Sequence, residues 1–163
     1  MEDVLQLSLA WSSHFVSTRS VFDTPITRTM TAITWQPPPD KGFYLNTDAA
    51  VDSISSLGSA SGVVRSSEGV WMTGFHKSVG ITSPLQVELW AIYIGLQVAL
   101  HYSVELLQIQ SDSIQAIQLL NNPTSASASL PLVRAISSLR WRRWYTDFLW
   151  TPREGNMVTD GMA

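Results

Sequence analysis

Gly42-Phe43-Tyr44-Leu45-Asn46-Thr47-Asp48-Ala49-Ala50 is the stretch at which the chain first takes on a regular pattern. Phe43–Asp48 reads as a strand that ends at the aspartate. With a period of two, Tyr44, Asn46 and Asp48 share one face, and Phe43, Leu45 and Thr47 share the other. Downstream, a Ser/Gly-rich turn leads to a second strand over Ala60–Arg65. The turn Ser66-Ser67-Glu68-Gly69 leads to a third over Val70–Val79. Three antiparallel strands joined by short loops are the simplest account. Upstream, Trp35-Gln36-Pro37-Pro38-Pro39-Asp40-Lys41 is a lead-in loop, because prolines are excluded from helix interiors and central strands. Residues 1–34 are rich in Ser and Thr without a sustained period and read as a tail or linker.

Beyond the third strand, Ser83-Pro84-Leu85-Gln86 is a helix start. The serine can cap, proline suits the first helical position, and Gln86 completes a capping box. That helix runs to about Tyr102. Leu106–Gln110 reads as a short buried strand ending at Ser111-Asp112, and Ser113–Leu120 as a second helix stopped by Asn121-Asn122-Pro123. A third helix is expected over Leu130–Leu139, a fifth strand over Tyr145–Trp150 and a loop over Thr151–Gly155. Asn156 then caps a last helix that the chain end cuts short. The order β-β-β-α-β-α-α-β-α describes an α/β fold, a five-stranded mixed sheet flanked by helices, as one domain over residues 35–163.

The composition suits a packed domain: 45% of the 163 residues are hydrophobic and 14% charged. With no cysteine, disulfides, thiolate zinc sites and cysteine nucleophiles are excluded. No apolar run reaches the roughly 18 residues that span a bilayer, and the N-terminal residues lack the basic segment of a secretory signal. A nuclear or cytoplasmic protein without a membrane partner is expected. The net charge of −3 argues against strong standalone affinity for a polyanion, although clustered carboxylates awaiting cations would contribute to it.

Four acidic residues occupy informative places. Asp48 closes the first strand. Glu88 is the one charged residue between Lys77 and Glu105, set among Leu85, Val87, Leu89, Trp90, Ala91 and Ile92. Burying an ionised carboxylate there costs several kcal/mol unless it is compensated, and a first-turn position would add help from the helix dipole. The small residues Ala91 and Gly95 leave room for the helix to approach the sheet. Asp112 follows a buried strand, where an aspartate either caps the next helix or joins a site at the strand ends. Asp160 lies in the terminal helix.

Five ordered segments carry a resemblance over residues 35–163. They are Trp35-x-Pro37-Pro38 through Leu45-Asn46-Thr47-Asp48; Gly62-Val63-Val64-Arg65-Ser66-x-x-Gly69; Glu88-Leu89-Trp90-Ala91-x-x-x-Gly95-Leu96; Ser111-Asp112-Ser113; and Pro152-Arg153-Glu154-Gly155-Asn156-x-x-x-Asp160. Together they resemble the plant ribonuclease H-like domain, which stands alone in plants or ends non-LTR retrotransposon polyproteins. The resemblance implies a ribonuclease H-like fold in which Asp48, Glu88, Asp112 and Asp160 are the catalytic and metal-binding quartet. It implies two Mg2+ ions (or Mn2+), endonucleolytic hydrolysis of the RNA strand of RNA–DNA hybrids, and a chain that is monomeric or part of a larger polyprotein. Magnesium prefers oxygen ligands, and paired ions suit in-line displacement at phosphorus. Weaker nucleic-acid contacts are expected at Asn46, Arg140, Arg142, Arg143, Arg153 and Asn156, the basic cluster meeting a phosphate backbone with bases or sugars stacked nearby. Arg140, Arg142 and Arg143 belong to the one concentrated basic patch, Arg140-Trp141-Arg142-Arg143-Trp144. The ordinary reading of that patch is a helix-to-strand junction with tryptophans inside and arginines in solvent.

The sequence departs from the family at two places. The family commonly has Asp-Gly-Ala where this chain has Asp48-Ala49-Ala50, which matters if the second position needs a positive φ. Ten residues before the last aspartate, cellular ribonucleases H place a histidine, and here that position is Trp150. His14, His76 and His101 lie far from it in sequence. An alternative to the active nuclease is therefore a catalytically weakened domain that binds nucleic acid or serves structurally. A 3′–5′ exonuclease would require Asp-x-Glu in the first strand, which Asp48-Ala49-Ala50 lacks.

Overall fold

The computed structural model describes residues 42–122, 124 and 129–156. The strands are β1 (Phe43–Val51), β2 (Leu57–Ser66), β3 (Trp71–Ile81), β4 (Leu106–Ser111) and β5 (Tyr145–Trp150). The helices are α1 (Pro84–His101), α2 (Ile114–Asn121) and α3 (Pro131–Arg140), and a 3-10 turn over Arg153–Gly155 follows β5. The expected α/β order holds through the fifth strand. The terminal helix, Asp160 and the tail over residues 1–34 lie outside the described residues.

The sheet order is β3-β2-β1-β4-β5. β1 pairs antiparallel with β2, and β2 with β3, while β4 runs parallel to both β1 and β5. β1 departs from expectation by running past Asp48 to Val51. Ala49, Ala50 and Val51 stay extended because each has a ladder partner, Ala60, Ser59 and Gly58. Asp48 is therefore an interior strand residue. Ala49 is not among the residues with positive φ, so its Cβ brings no backbone strain.

α1 begins as its sequence dictates. The Ser83 hydroxyl accepts from the Gln86 amide at 3.4 Å, and the Gln86 side chain accepts from the Ser83 amide at 3.5 Å. The helix buries Val87, Leu89, Ala91, Ile92, Gly95, Leu96 and Ala99. Leu89, Ile92, Leu96 and Ala99 pack with Leu45, Val64, Leu107, Ile109 and Phe148 of the sheet and Ile117, Val133 and Ile136 of α2 and α3. Val87 and Ala91 form a second cluster with Ala60 of β2. Gly95 sets how closely α1 lies on β1, since a Cβ there would stand 2.5 Å from Cδ2 of Leu45.

Leu45 is fully buried within the core cluster, so its side chain would have to shift against packed neighbours. Replacing Gly95 by alanine gains about 1 kcal/mol of helix propensity, but the overpacking costs typically about 1–3 kcal/mol. We expect Gly95→Ala to lower the melting temperature and Gly95→Val to lower it further. Thermal denaturation of the three proteins checks the order.

Candidate active site

Parallel pairing of β1 with β4 puts Thr47 opposite Ser111, so the next residue of each chain, Asp48 and Asp112, emerges at the same edge of the sheet. This is the carboxyl end of the parallel strands, where α/β folds place their ligands. α1 starts at that edge and contributes Glu88. One carboxylate oxygen from each of Asp48, Glu88 and Asp112 lies within 4.8 Å of the others. Asp48 is buried at 3% exposure, whereas Glu88 and Asp112 are partly exposed.

Local structure departs from expectation at Glu88 and decides between two readings at Asp112. Glu88 sits in the second turn of α1, with no acidic residue in the first, and the dipole contribution fades beyond the first turn. Asp112 is not a helix cap. Ser113 takes that role, its hydroxyl accepting from the Ala116 amide at 3.3 Å, while the Ser111 hydroxyl accepts from the Ser113 amide at 3.1 Å. The neighbouring serines satisfy the start of α2 and leave the Asp112 carboxylate available to the cluster.

The electrostatic consequence falls on Glu88. Burial pushes its carboxyl up to about 8, and the charges of Asp112 and Asp48 push the same way. The Arg153 guanidinium and a hydrogen bond from the Ser111 hydroxyl oppose the shift without cancelling it. Among the described residues, none is a hydrogen-bond partner for the buried Glu88 Oε2. Arg153 Nε stands 3.9 Å from Asp112 Oδ2, but its side chain is 69% exposed, so solvent screens the pair and its contribution is small.

The other expected contact residues are scattered. Asn46 and Asn156 are buried at 2% and 3% exposure. The Asn46 amide donates to Gln110 Oε1 at 2.8 Å and to Asn156 Oδ1 at 3.3 Å. Asn156 donates to the Thr47 carbonyl at 2.7 Å. These amides are committed inside the fold. Arg140 is also inward: it donates to the Leu120 carbonyl at 2.8 Å and stacks 4.5 Å above the Phe148 ring. Trp144 is in the core, but Trp141 is 89% exposed, so the expectation of interior tryptophans holds for only one of the two. Arg142 and Arg143 are exposed. They precede β5, about 20 Å from the acidic edge by the usual rise per residue of a six-residue strand. Asp160 is outside the described residues.

One contact carries no signal in the sequence. The Trp150 indole N–H donates to the Asp112 carbonyl at 3.0 Å. Only the β4–β5 register, with Ser111 opposite Trp150, brings these residues together.

Residues 46–163 match the family model described as "Reverse transcriptase-like". An Arabidopsis thaliana protein named "Putative ribonuclease H protein" is 33% identical over 132 residues, which are 80% of this chain and 21% of that protein. The chain belongs to this ribonuclease H-like family. It spans about a fifth of that relative's length. The fold matches the N-terminal RNase H domain of Rv2228c from Mycobacterium tuberculosis, with a TM-score of 0.68 and 15% identity over 76% of this chain and 91% of that one. It also matches LC11-RNase H1 in complex with an RNA/DNA hybrid, with a TM-score of 0.66 and 16% identity over 74% and 92%. RNase H1 from Halobacterium salinarum gives 0.62 and 18% over 76% and 93%. No helix among the described residues is long and apolar enough to cross a membrane.

The raised Glu88 carboxyl makes stability depend on pH. Folded protein holds this proton more tightly than unfolded protein between the ordinary value of 4.5 and about 8, so stability falls as pH rises through that window. Below 4.5 both states are protonated and the contribution is fully present. Denaturation in chelator at pH 5 and pH 8 should show the loss, and Glu88→Gln should remove most of the difference.

Proposed function

We propose that this domain is a divalent-metal-dependent endonuclease that hydrolyses the RNA strand of RNA–DNA hybrids. The observation that supports this reading is the convergence of Asp48, Glu88 and Asp112 from three separate elements, their ligand atoms within 4.8 Å. Three carboxylates gathered at a partly buried edge are mutually unfavourable when ionised, and one of their oxygens, Glu88 Oε2, is buried without a partner among the described residues. Hard cations with oxygen preference fit this donor set. Asp48, Glu88 and Asp112 would hold them, with Asp160 as the fourth ligand assigned from the resemblance. Two Mg2+ or Mn2+ ions held there would supply an activated water and stabilise the leaving 3′-oxygen.

The chain's own groups do the remaining work. The rigid β1 and β4 ends fix the carboxylates before substrate arrives, which is the condition for electrostatic stabilisation of developing charge. Arg153, exposed beside Asp112, can meet a phosphate entering the site. Arg142 and Arg143 stand too far away to touch the same phosphate and would contact the backbone elsewhere along the duplex. Asn46 and Asn156 act from inside the fold. Selection of hybrid over DNA duplex would use 2′-hydroxyl contacts to the RNA strand. Were it carried within a longer protein, as the matched segment is in that relative, this domain would act as one module.

A weakened nuclease is the second reading, and Trp150 favours it. At the position where the resemblance places a histidine, an indole N–H can donate a hydrogen bond but cannot shuttle a proton, and loss of a general acid/base costs typically about 10²–10⁴-fold. Cleavage of a labelled RNA–DNA hybrid with Mg2+ or Mn2+ distinguishes the readings. We expect slow RNA-strand cleavage that leaves 5′-phosphate ends, abolished by chelator and by Asp48→Asn or Asp112→Asn. Cleavage that survives both substitutions would overturn the site, and a folded wild-type protein with no cleavage would establish the weakened reading.

A further inference from the structure

We propose that residues 150–156 form a strap whose hydrogen bonds set the separation of the two strand-borne carboxylates, with Trp150 and Asn156 as positioning residues. The inference rests on the metal-site reading above and adds to it the residues that hold the ligands. Three donors on this segment reach three carbonyls at the acidic edge. The Trp150 indole N–H donates to the Asp112 carbonyl at 3.0 Å. The Thr151 amide donates to the Ser111 carbonyl at 2.9 Å. The Asn156 side chain donates to the Thr47 carbonyl at 2.7 Å, the peptide group that leads into Asp48.

The β1–β4 ladder itself stops at Thr47↔Ser111. Asp48 and Asp112 lie one residue past it on the side where β1 and β4 part. The strap crosses that gap, gripping the β4 exit at its beginning and the β1 exit at its end. Asn156 is itself held, accepting from the Asn46 amide at 3.3 Å, and Asn46 donates in turn to Gln110 of β4. A polar bridge thus continues beneath the strap and ties the same two strands together. Trp150 suits a positioning role better than a packing one, because it is 46% exposed. Its indole nitrogen, rather than a buried ring, is its fixed contact. Through that contact it constrains the peptide joining Asp112 to Ser113, the cap of α2.

The test is Trp150→Phe, which keeps a ring and removes the donor, compared with wild type and with Trp71→Phe, an exposed tryptophan on β3. Two readouts are taken where all three proteins are folded: Mn2+ binding by calorimetry, and amide hydrogen exchange at Ser113, Ala116 and Ile117. Loss of one positioning hydrogen bond should weaken Mn2+ binding about three- to tenfold and speed exchange at those amides, with neither effect in Trp71→Phe. A cleavage assay should place the effect in kcat, leaving KM for the hybrid unchanged. Wild-type Mn2+ affinity together with wild-type exchange in Trp150→Phe would overturn the proposal. If the wild type binds no Mn2+, the metal reading fails by itself; exchange then judges the strap, and unchanged exchange overturns it.

Discussion

Carboxylates repel one another, and those of Asp48, Glu88 and Asp112 approach within 4.8 Å in a partly buried setting. The structure tolerates this because parallel pairing of β1 with β4 leaves the chain no choice about where Asp48 and Asp112 emerge. With Thr47 opposite Ser111, both aspartates must appear at one sheet edge. Slipping either strand by one residue would turn its whole apolar set to the other face, and Leu45, Leu107 and Ile109 are each completely buried. The register is therefore held by hydrophobic packing, and packing energy opposes the electrostatic cost of the cluster. The raised Glu88 carboxyl reflects its burial first and the charges of Asp112 and Asp48 second.

The third carboxylate depends on a different constraint. Glu88 reaches the edge only because α1 begins there and lies close to β1. Its start is fixed by the Ser83–Gln86 capping pair and Pro84, and its closeness by Gly95 against Leu45. Both devices lie outside the acidic cluster, yet each determines where a ligand atom stands. A site of this kind is distributed: its chemistry is in a few oxygens, but its geometry is in a ladder register, a helix cap and a missing Cβ.

The order of elements through β5 could be read from the sequence because each carries local signals. Prolines mark the lead-in to β1, the serine–proline start marks α1, and the apolar run marks β4. Strand ends were less legible, since Ala49 and Ala50 have little strand preference and are extended through pairing with β2. Sequence left the role of Asp112 open between helix cap and site because Asp and Ser are both good caps, and only the backbone shows that Ser113 occupies the cap position. The candidate carboxylates could be named from position and resemblance, but their convergence could not, as it follows from strand order. Least legible were the inward amides. Asn46 and Asn156 are polar residues that sequence reasoning sends to solvent or substrate, whereas here the Asn46 amide donates to Asn156 and Asn156 donates to the β1 backbone. Arg140 was misread for the same reason, since its stacking partner Phe148 is supplied by a neighbouring strand.

The two departures from the family pattern have different physical weight. Ala49 adds a methyl group to a residue in an ordinary extended ladder, where a glycine's freedom is not needed. It leaves the acidic edge intact. Trp150 exchanges a group that can both give and take a proton for one that can only donate. The indole uses that single capacity on the Asp112 carbonyl, so the position has become part of the scaffold rather than of any proton path. On the proposed reading, proton movement at the leaving oxygen then falls to water and the carboxylates. Raised affinity of Glu88 for its proton places one such carboxyl near neutrality while the cluster holds no cation. A cation held by these carboxylates would favour the ionised form of Glu88. The same carboxylate cannot serve fully as ligand and as acid at once, which is a physical reason to expect slow turnover from an otherwise well-formed acidic site.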